Sequence, residues 1–546
     1  MDADLKLKLL TEHHHDQKGG MKTMPFIIVN EGFEKIASYG LQYNMIFYLM
    51  EVYHMEAVPA STVMYIWSAL STGLSVFGAL ISDSYLGRFR VIAFGSLFSF
   101  LGVTLLWLTS MVPQFTPSSC HEPETNCSPP TPTQLGYLFS CLGLISIGSG
   151  CMGPCAIAFG ADQFQHHNNQ RLIYSFFNWY YATASISTLV GSTVLVYIQD
   201  QFGWQVGFVV PAMFMFCSTL MFMLGSSLYV KVEVDESPYS GFIQVLMLAF
   251  KNRKIRLLPD DRYNRSNQGD RVELTDNLRF LNKACVVRDT NNDYSGILTV
   301  EKVESLKSLI RIIPVWSSGI LVFVNVVQSF PTIQAAKMNR NITSWLEIPA
   351  ASFSMFALLS LTIFIALYDR ILIPFLAKCT HEPRGLLPKT RMGMGIITSI
   401  VAMVVAAIVE HTRCSLANSN QMVNMSAMWL VPQFVLTGIT EALNSIGQME
   451  FYYSELPKSM ASSAMTIFTV GMTIAALVAS LLTNIVDSVT SLGGGVSWLS
   501  SDIDVGHVDY YYWLLSFLNL LCFFYYLLCC RMHRSFSLQE SRLIVS

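Results

Sequence analysis

Long apolar runs separated by short polar punctuation dominate the chain. Each run is about as long as a bilayer core is thick, roughly 20 residues at about 1.5 Å per residue. Marked this way, spans are predicted near residues 23–50, 60–82, 91–112, 134–158, 175–197 and 204–230, then 309–330, 347–369, 392–410, 427–451, 462–486 and 509–530. The pattern therefore predicts an all-α membrane protein of twelve transmembrane helices in two six-helix bundles, 23–230 and 309–530. A polar central linker, 231–308, containing "KNRKIRLLPDDRYNRSNQGDRVE", separates the halves, with polar tails at 1–22 and 531–546.

Composition agrees, since 546 residues that are 52% hydrophobic and 13% charged exclude both a soluble globular chain and a disordered one. The opening "MDADLKLKLLTEHHHDQKGGMK" lacks the apolar core and small-residue cleavage site of a signal peptide, so the first span is expected to stay in the mature protein. The net charge of −3 says little about partners, and no nucleic-acid partner is expected of a membrane protein. The partner implied is the lipid bilayer; oligomeric state is open.

Basic residues orient the spans. With a cytosolic N-terminus, only Lys337, Arg340 and Arg413 of the 34 Lys and Arg residues fall in outer loops, and Lys35 lies inside a span. Sequons agree: Asn126, Asn341 and Asn424 fall outside, Asn264 inside. Of the twelve cysteines, most lie in spans, where packing as small apolar residues is the default. Cys120 and Cys127 share an outer loop and either form a disulfide or remain two thiols, because spacing does not fix geometry. Cys529 and Cys530 read as packing residues before acylation sites, and His13–His15 as a solvated tail before a metal site.

The anomaly is "NEGFEKIASYG" (Asn30–Gly40), which puts Glu31, Glu34 and Lys35 inside an otherwise apolar span. A charge at the bilayer centre costs at least about 2.5–3.5 kcal/mol. On a helix the three residues share one face, which suits either a structural ion pair or a water-filled path. Two acids with one base leave a carboxylate unbalanced, and a carboxyl taken out of water holds its proton more readily. That is proton-relay chemistry. Glu441 is a second deep charge, facing either the same cavity or a hydrogen-bonding neighbour, whereas Glu450 lies nearer the inner boundary. At the inner end of the second span, "DSYLGRFR" supplies Asp83, Gly87 and Arg88 for a tight turn that pairs acid with base, a candidate conformational latch.

These residues together resemble the major facilitator superfamily and, within it, the plant nitrate/peptide transporter family of proton-dependent oligopeptide transporter relatives. "EGFEK" resembles the ExxE[R/K] motif of helix one and "DSYLGRFR" the loop between helices two and three; "FGADQF" with "FFNWYY" is similar to the signature across helices four and five. "TDNLRFLNKA", "LIRIIPVW", "IPAASF" and "GQMEFYYSELP" extend the match nearly end to end. The resemblance implies a midplane cavity that opens alternately to either side, with Glu31, Glu34 and Lys35 as the proton-coupling group and Glu441, Tyr39 and Tyr43 among the cavity residues. It implies a symporter driven by the proton gradient, without a cofactor, in the plasma membrane.

Two departures stand out. Family members commonly carry a base before the proline of helix four, where this chain reads "GSGCMGPC" and places Gly153; the helix-seven histidine tied to nitrate binding is replaced by Val324. An anion has lost two donors, so nitrate and a larger organic solute both stay open. A membrane enzyme would need a nucleophile with its base, or a metal cluster, at one face, and none is evident. A sensor of the same fold with little flux is the alternative class.

Topology is directly testable. Impermeant labelling of single introduced cysteines in intact cells should reach 115–130 and 335–345 and not 260–290; labelling of the central segment would reverse the assignment.

Overall fold

Helix ends follow local chemistry more closely than they follow the apolar runs. The computed structural model describes residues 19–118, 129–164, 170–232, 238–253, 262–263, 274–275, 278–287, 298–343, 346–380, 386–418, 425–457, 461–492 and 494–545. The first half holds α1 (Met24–Glu51), α2 (Ala57–Ile81), α3 (Arg88–Met111) and α4 (Pro132–Asp162). Pro25 sits in the first turn of α1, where its missing N–H costs nothing. Thr131 and Gln134 cap α4 reciprocally, satisfying two backbone donors at its start.

Helical hydrogen bonding then continues from Gln170 through a π turn at Gly191–Leu195 to Leu224, but Gly203 (φ 77°, ψ 174°) breaks the rod. A Cβ on Gly207 would lie 3.0 Å from Gln199 Cα, where a straight helix would separate the two by about 12 Å. The chain therefore doubles back here, giving α5 (170–202) and α6 (204–224). Only glycine adopts this backbone without strain.

The second half comprises α7 (Val300–Val326), α8 (350–380, with Met355–Leu367 as its regular core), α9 (Pro388–Asn418), α10 (Val431–Glu455), α11 (Ala461–Thr490) and α12 (Val508–Val545). These twelve spans form the expected two six-helix bundles. Among the described residues, nine stretches are long and apolar enough to cross a bilayer, one of them being the α5–α6 pair. The helices left out are α1 and α10. They carry the deep charges, and tertiary packing rather than apolarity holds them in place.

Several boundaries differ from the sequence expectation. Residues 300–308, read as linker, form the first turns of α7, because Lys307 Nζ pairs with Glu304 at 2.6 Å and donates to the Thr275 carbonyl at 2.7 Å. The linker itself contains a helix, Pro238–Lys251. The segment read as the C-terminal tail is helical as far as Val545. Arg413, expected in a loop after residue 410, lies inside α9 and is wholly buried. Its guanidinium takes both oxygens of buried Glu410 at 2.9 Å, reaches Asp504 and donates to the Ile503 carbonyl at 3.0 Å. The cost of burying this cation is offset by two carboxylates.

Gly19 bonds the Leu228 carbonyl beyond the end of α6 and His533 of α12 pairs with Glu455 at the end of α10, so the start of α1 and the inner end of α12 share one face, the termini face. Within the first bundle α1 is clamped from two sides. Asn30 donates to the Ser218 hydroxyl of α6 at 2.8 Å, and Ser218 donates back to the Asn30 carbonyl at 2.9 Å. At Gly191 of α5 a Cβ would sit 2.8 Å from the Ile36 carbonyl, so only glycine permits the approach. Hydrogen bonds between the bundles, among the described residues, lie at the midplane or beyond it, away from the termini. Thr473 meets Thr72 at 3.0 Å, Asn484 meets Thr62 at 2.8 Å, and Ser501 accepts from the Ala57 N–H at 3.1 Å. The groove between the bundles therefore opens toward the face that carries the termini.

Removing one partner of the buried Arg413 pair leaves an uncompensated charge, at a cost of about 3–5 kcal/mol. Glu410→Ala should lower the apparent Tm in detergent markedly, and Asp504→Asn should lower it less because Asp504 is partly exposed; equal and small shifts would contradict this account.

Candidate functional site

The charged face of α1 points into the groove. Lys35 Nζ stands 3.6 Å from Glu31 Oε1, one turn away, and 3.2 Å from Glu34 Oε2. Both carboxylates are buried and the lysine is partly open. Ser38 donates to Glu34 Oε1 at 2.8 Å, and the Tyr180 hydroxyl of α5 faces Glu31. One ammonium thus serves two carboxylates.

Further along the same face Tyr39 and Tyr43 stack with ring centroids 6.0 Å apart. Glu441, ten residues into α10, comes from the opposite bundle close enough to act electrostatically on both rings. No cation pairs with Glu441 among the described residues. The arrangement brings together three carboxylates, three phenols and one ammonium. The α10 helix adds side-chain atoms without partners in Thr440, Asn444, Ser445 and Gln448.

The two departures noted in the sequence differ in space. Gly153 in α4 is open, and a Cβ built there meets nothing within 4 Å. Val324, by contrast, is fully buried in the apolar cluster that also holds Tyr65, Ala475 and Tyr511. It sits near the far end of α7, where the bundles are closed against each other. Beside it lies a node that no sequence signal marked. Gln328 Oε1 accepts from Tyr65 of α2 at 3.2 Å and Tyr511 of α12 at 3.3 Å, and Ser329 N–H donates to the Tyr65 hydroxyl at 3.2 Å.

At the termini face, Gly87 (φ 79°, ψ 151°) makes the turn between α2 and α3. Arg88 Nε bonds Asp83 Oδ1 at 3.2 Å, as the spacing suggested, but its closer partner is Asp162 at the end of α4, whose two oxygens both accept from Nη1 at 2.7 and 2.8 Å. Asp162 and Tyr180 were missed as site residues, although "FGADQF" and "FFNWYY" contain them. Glu450 is exposed and faces Arg391 at 3.5 Å, outside the groove site. Cys529 is buried and Cys530 half-buried in one apolar cluster, which fits packing rather than acylation. Asn341 is exposed in a short hairpin. Cys120, Cys127, Asn126, Asn264, Asn424 and His13–His15 lie outside the described residues.

The fold is that of the major facilitator transporters. A family model described as "POT family" matches residues 89–499. Protein NRT1/ PTR FAMILY 1.1 of Arabidopsis thaliana is 45% identical over 94% of this chain and 91% of its own length; Protein NRT1/ PTR FAMILY 1.2 of the same plant is 44% identical over 96% and 91%. Among solved structures, the POT family transporter PepTSo aligns with a TM-score of 0.72 over 94% of this chain and 98% of its own, at 19% identity, which speaks for the fold alone. The chain belongs to the POT family, on its NRT1/PTR branch.

The Arg88 fork joins three helix ends, so its geometry is as important as its charge. Asp162→Asn should impair uptake at least as much as Asp83→Asn, and Arg88→Lys should fail to restore it, at unchanged surface levels. Wild-type uptake by Asp162→Asn would remove Asp162 from the latch.

Proposed function

We propose that this transporter is a proton-coupled symporter that moves nitrate or a small organic solute by alternating access. The observation that carries this reading is the pair of buried carboxylates, Glu31 and Glu34, held by the single ammonium of Lys35. While the groove is open, water screens the excess negative charge. Closing it expels water, and an uncompensated carboxylate then closes only with a proton on it or a cation beside it. Proton binding thereby becomes a condition for the conformational step. Glu441 on the opposite wall, without a cation among the described residues, extends the same requirement to substrate binding.

On this reading the energy source is the proton gradient and no cofactor takes part; the chain catalyses no chemical reaction. The termini face the cytosol and the membrane is the plasma membrane, in keeping with the basic-residue bias. Nitrate takes precedence through the family. The open space at Gly153 favours a second reading, in which the solute is larger and organic. A POT family transporter with this fold was crystallised in complex with 5-aminolevulinic acid, a small organic molecule.

Glu31→Gln and Glu34→Gln should each abolish uptake driven by an inward proton gradient in voltage-clamped cells, with surface protein unchanged; wild-type pH dependence in both would sink the relay. Gly153→Lys supplies a cation where a side chain has room, and should strengthen anion uptake or move its pH optimum. If wild type carries an organic solute and no nitrate at any pH, and the lysine variant excludes that solute, the larger-solute reading replaces nitrate. Binding without flux for every solute tried would favour a sensor.

A further inference from the structure

The central linker carries an apolar surface that nothing among the described residues covers. In the helix Pro238–Lys251, Val245 and Ala249 are buried with Leu281, Ala284 and Cys285 of the linker and Val300, Val303 and Leu306 of α7. At about 100° per residue, Leu246, Met247 and Phe250 fall on a separate arc of about 100° pointing away from that cluster. Met247 is 66% and Phe250 69% exposed, and Phe280 from the adjoining short helix is exposed beside them. Fourteen residues are too few to span a bilayer.

Three further observations identify what lies against this arc. The first is depth: Leu309 and Ile310, where α7 turns from polar to apolar, pack on the same cluster, so the helix sits at the membrane boundary on the termini face. The second is charge. Lys251 and Arg253 are exposed at the end of the arc, the Arg253 guanidinium lies 4.4 Å over the Phe250 ring, and Lys283 Nζ donates to the Arg253 carbonyl at 2.7 Å. The third is that residues 244–253 and 278–287 contain no carboxylate.

We propose that this helix lies in the membrane interface, its Leu246–Met247–Phe250 arc among acyl chains and its Lys251–Arg253 end on the headgroups of anionic phospholipid. An interfacial helix gains from both burial of apolar area and attraction to negative lipid. Because its inner side is packed on the base of α7, the lipid contact anchors the linker to the second bundle.

The test uses the full chain in nanodiscs of phosphatidylcholine doped with photoreactive-acyl phosphatidylcholine or phosphatidylserine, with adducts mapped by mass spectrometry. The peptide covering 244–253 should be labelled at least about threefold more by the serine probe. Met247→Asp with Phe250→Asp should remove most of that label while lipid-facing α3 labels as before, which also reports correct insertion. Lys251→Glu with Arg253→Glu should erase the preference for serine lipid and keep acyl labelling. A wild-type patch that stays unlabelled while α3 is labelled, or that cross-links to a second copy instead, overturns the proposal; equal labelling by both probes overturns its anionic component.

Discussion

Two carboxylates and one ammonium, one turn apart on α1, set the terms for the rest of the molecule. A helix bearing Glu31, Glu34 and Lys35 has no stable place in lipid, so it must stand between two bundles with water on its charged side. The clamp of Asn30 on Ser218 and the close approach of Ile36 to Gly191 serve that demand. They hold α1 by backbone proximity and hydrogen bonds rather than by greasy contact alone. The α10 helix meets the same constraint from the other bundle with Glu441, whose field reaches Tyr39 and Tyr43.

The remaining deep charges behave differently, and the contrast separates structural from functional ionic groups. Arg413 is matched by Glu410 and Asp504, Lys307 by Glu304 and the Thr275 carbonyl, Arg88 by Asp162 and Asp83. Each of these cations has at least as much acceptor charge or dipole as it needs. At the groove the balance runs the other way, with acids in excess. Excess buried charge is unstable unless it exchanges something with solvent, and that is what a coupled carrier requires.

The closed side of the groove is sealed mainly by neutral contacts. Thr72 with Thr473, Thr62 with Asn484, and the Gln328 node with Tyr65 and Tyr511 join helices of opposite bundles. A neutral hydrogen bond exchanged for water costs only about 0.5–1.5 kcal/mol net. Such a seal is specific in register and cheap to open, which suits bundles that must separate on each cycle. The charged fork of Arg88, by contrast, lies within one bundle and keeps three helix ends rigid as it moves.

Much of this was legible in the chain. Period, run length and the polar linker gave twelve spans and two halves, because in a bilayer backbone polarity forces helices whatever the neighbours are. Glu31, Glu34 and Lys35 announced themselves because deep charge is rare, and Gly87 because a tight turn needs a positive φ. The bounds of α7, α9 and α12 did not follow from apolarity, since Lys307, Arg413 and the end of α12 are helical for reasons of pairing and continuity outside the lipid. Val324 stands where the resemblance places a histidine, and only the packing shows it inside an apolar cluster. Asp162, Tyr180 and Gln328 were invisible as site residues because an acid, a phenol or an amide has no meaning until its partner, some 70 to 260 positions away, is brought beside it. Local sequence determines which segments are helices and which charges are out of place; only the tertiary structure decides which charges are balanced, because balance is a property of distance through space.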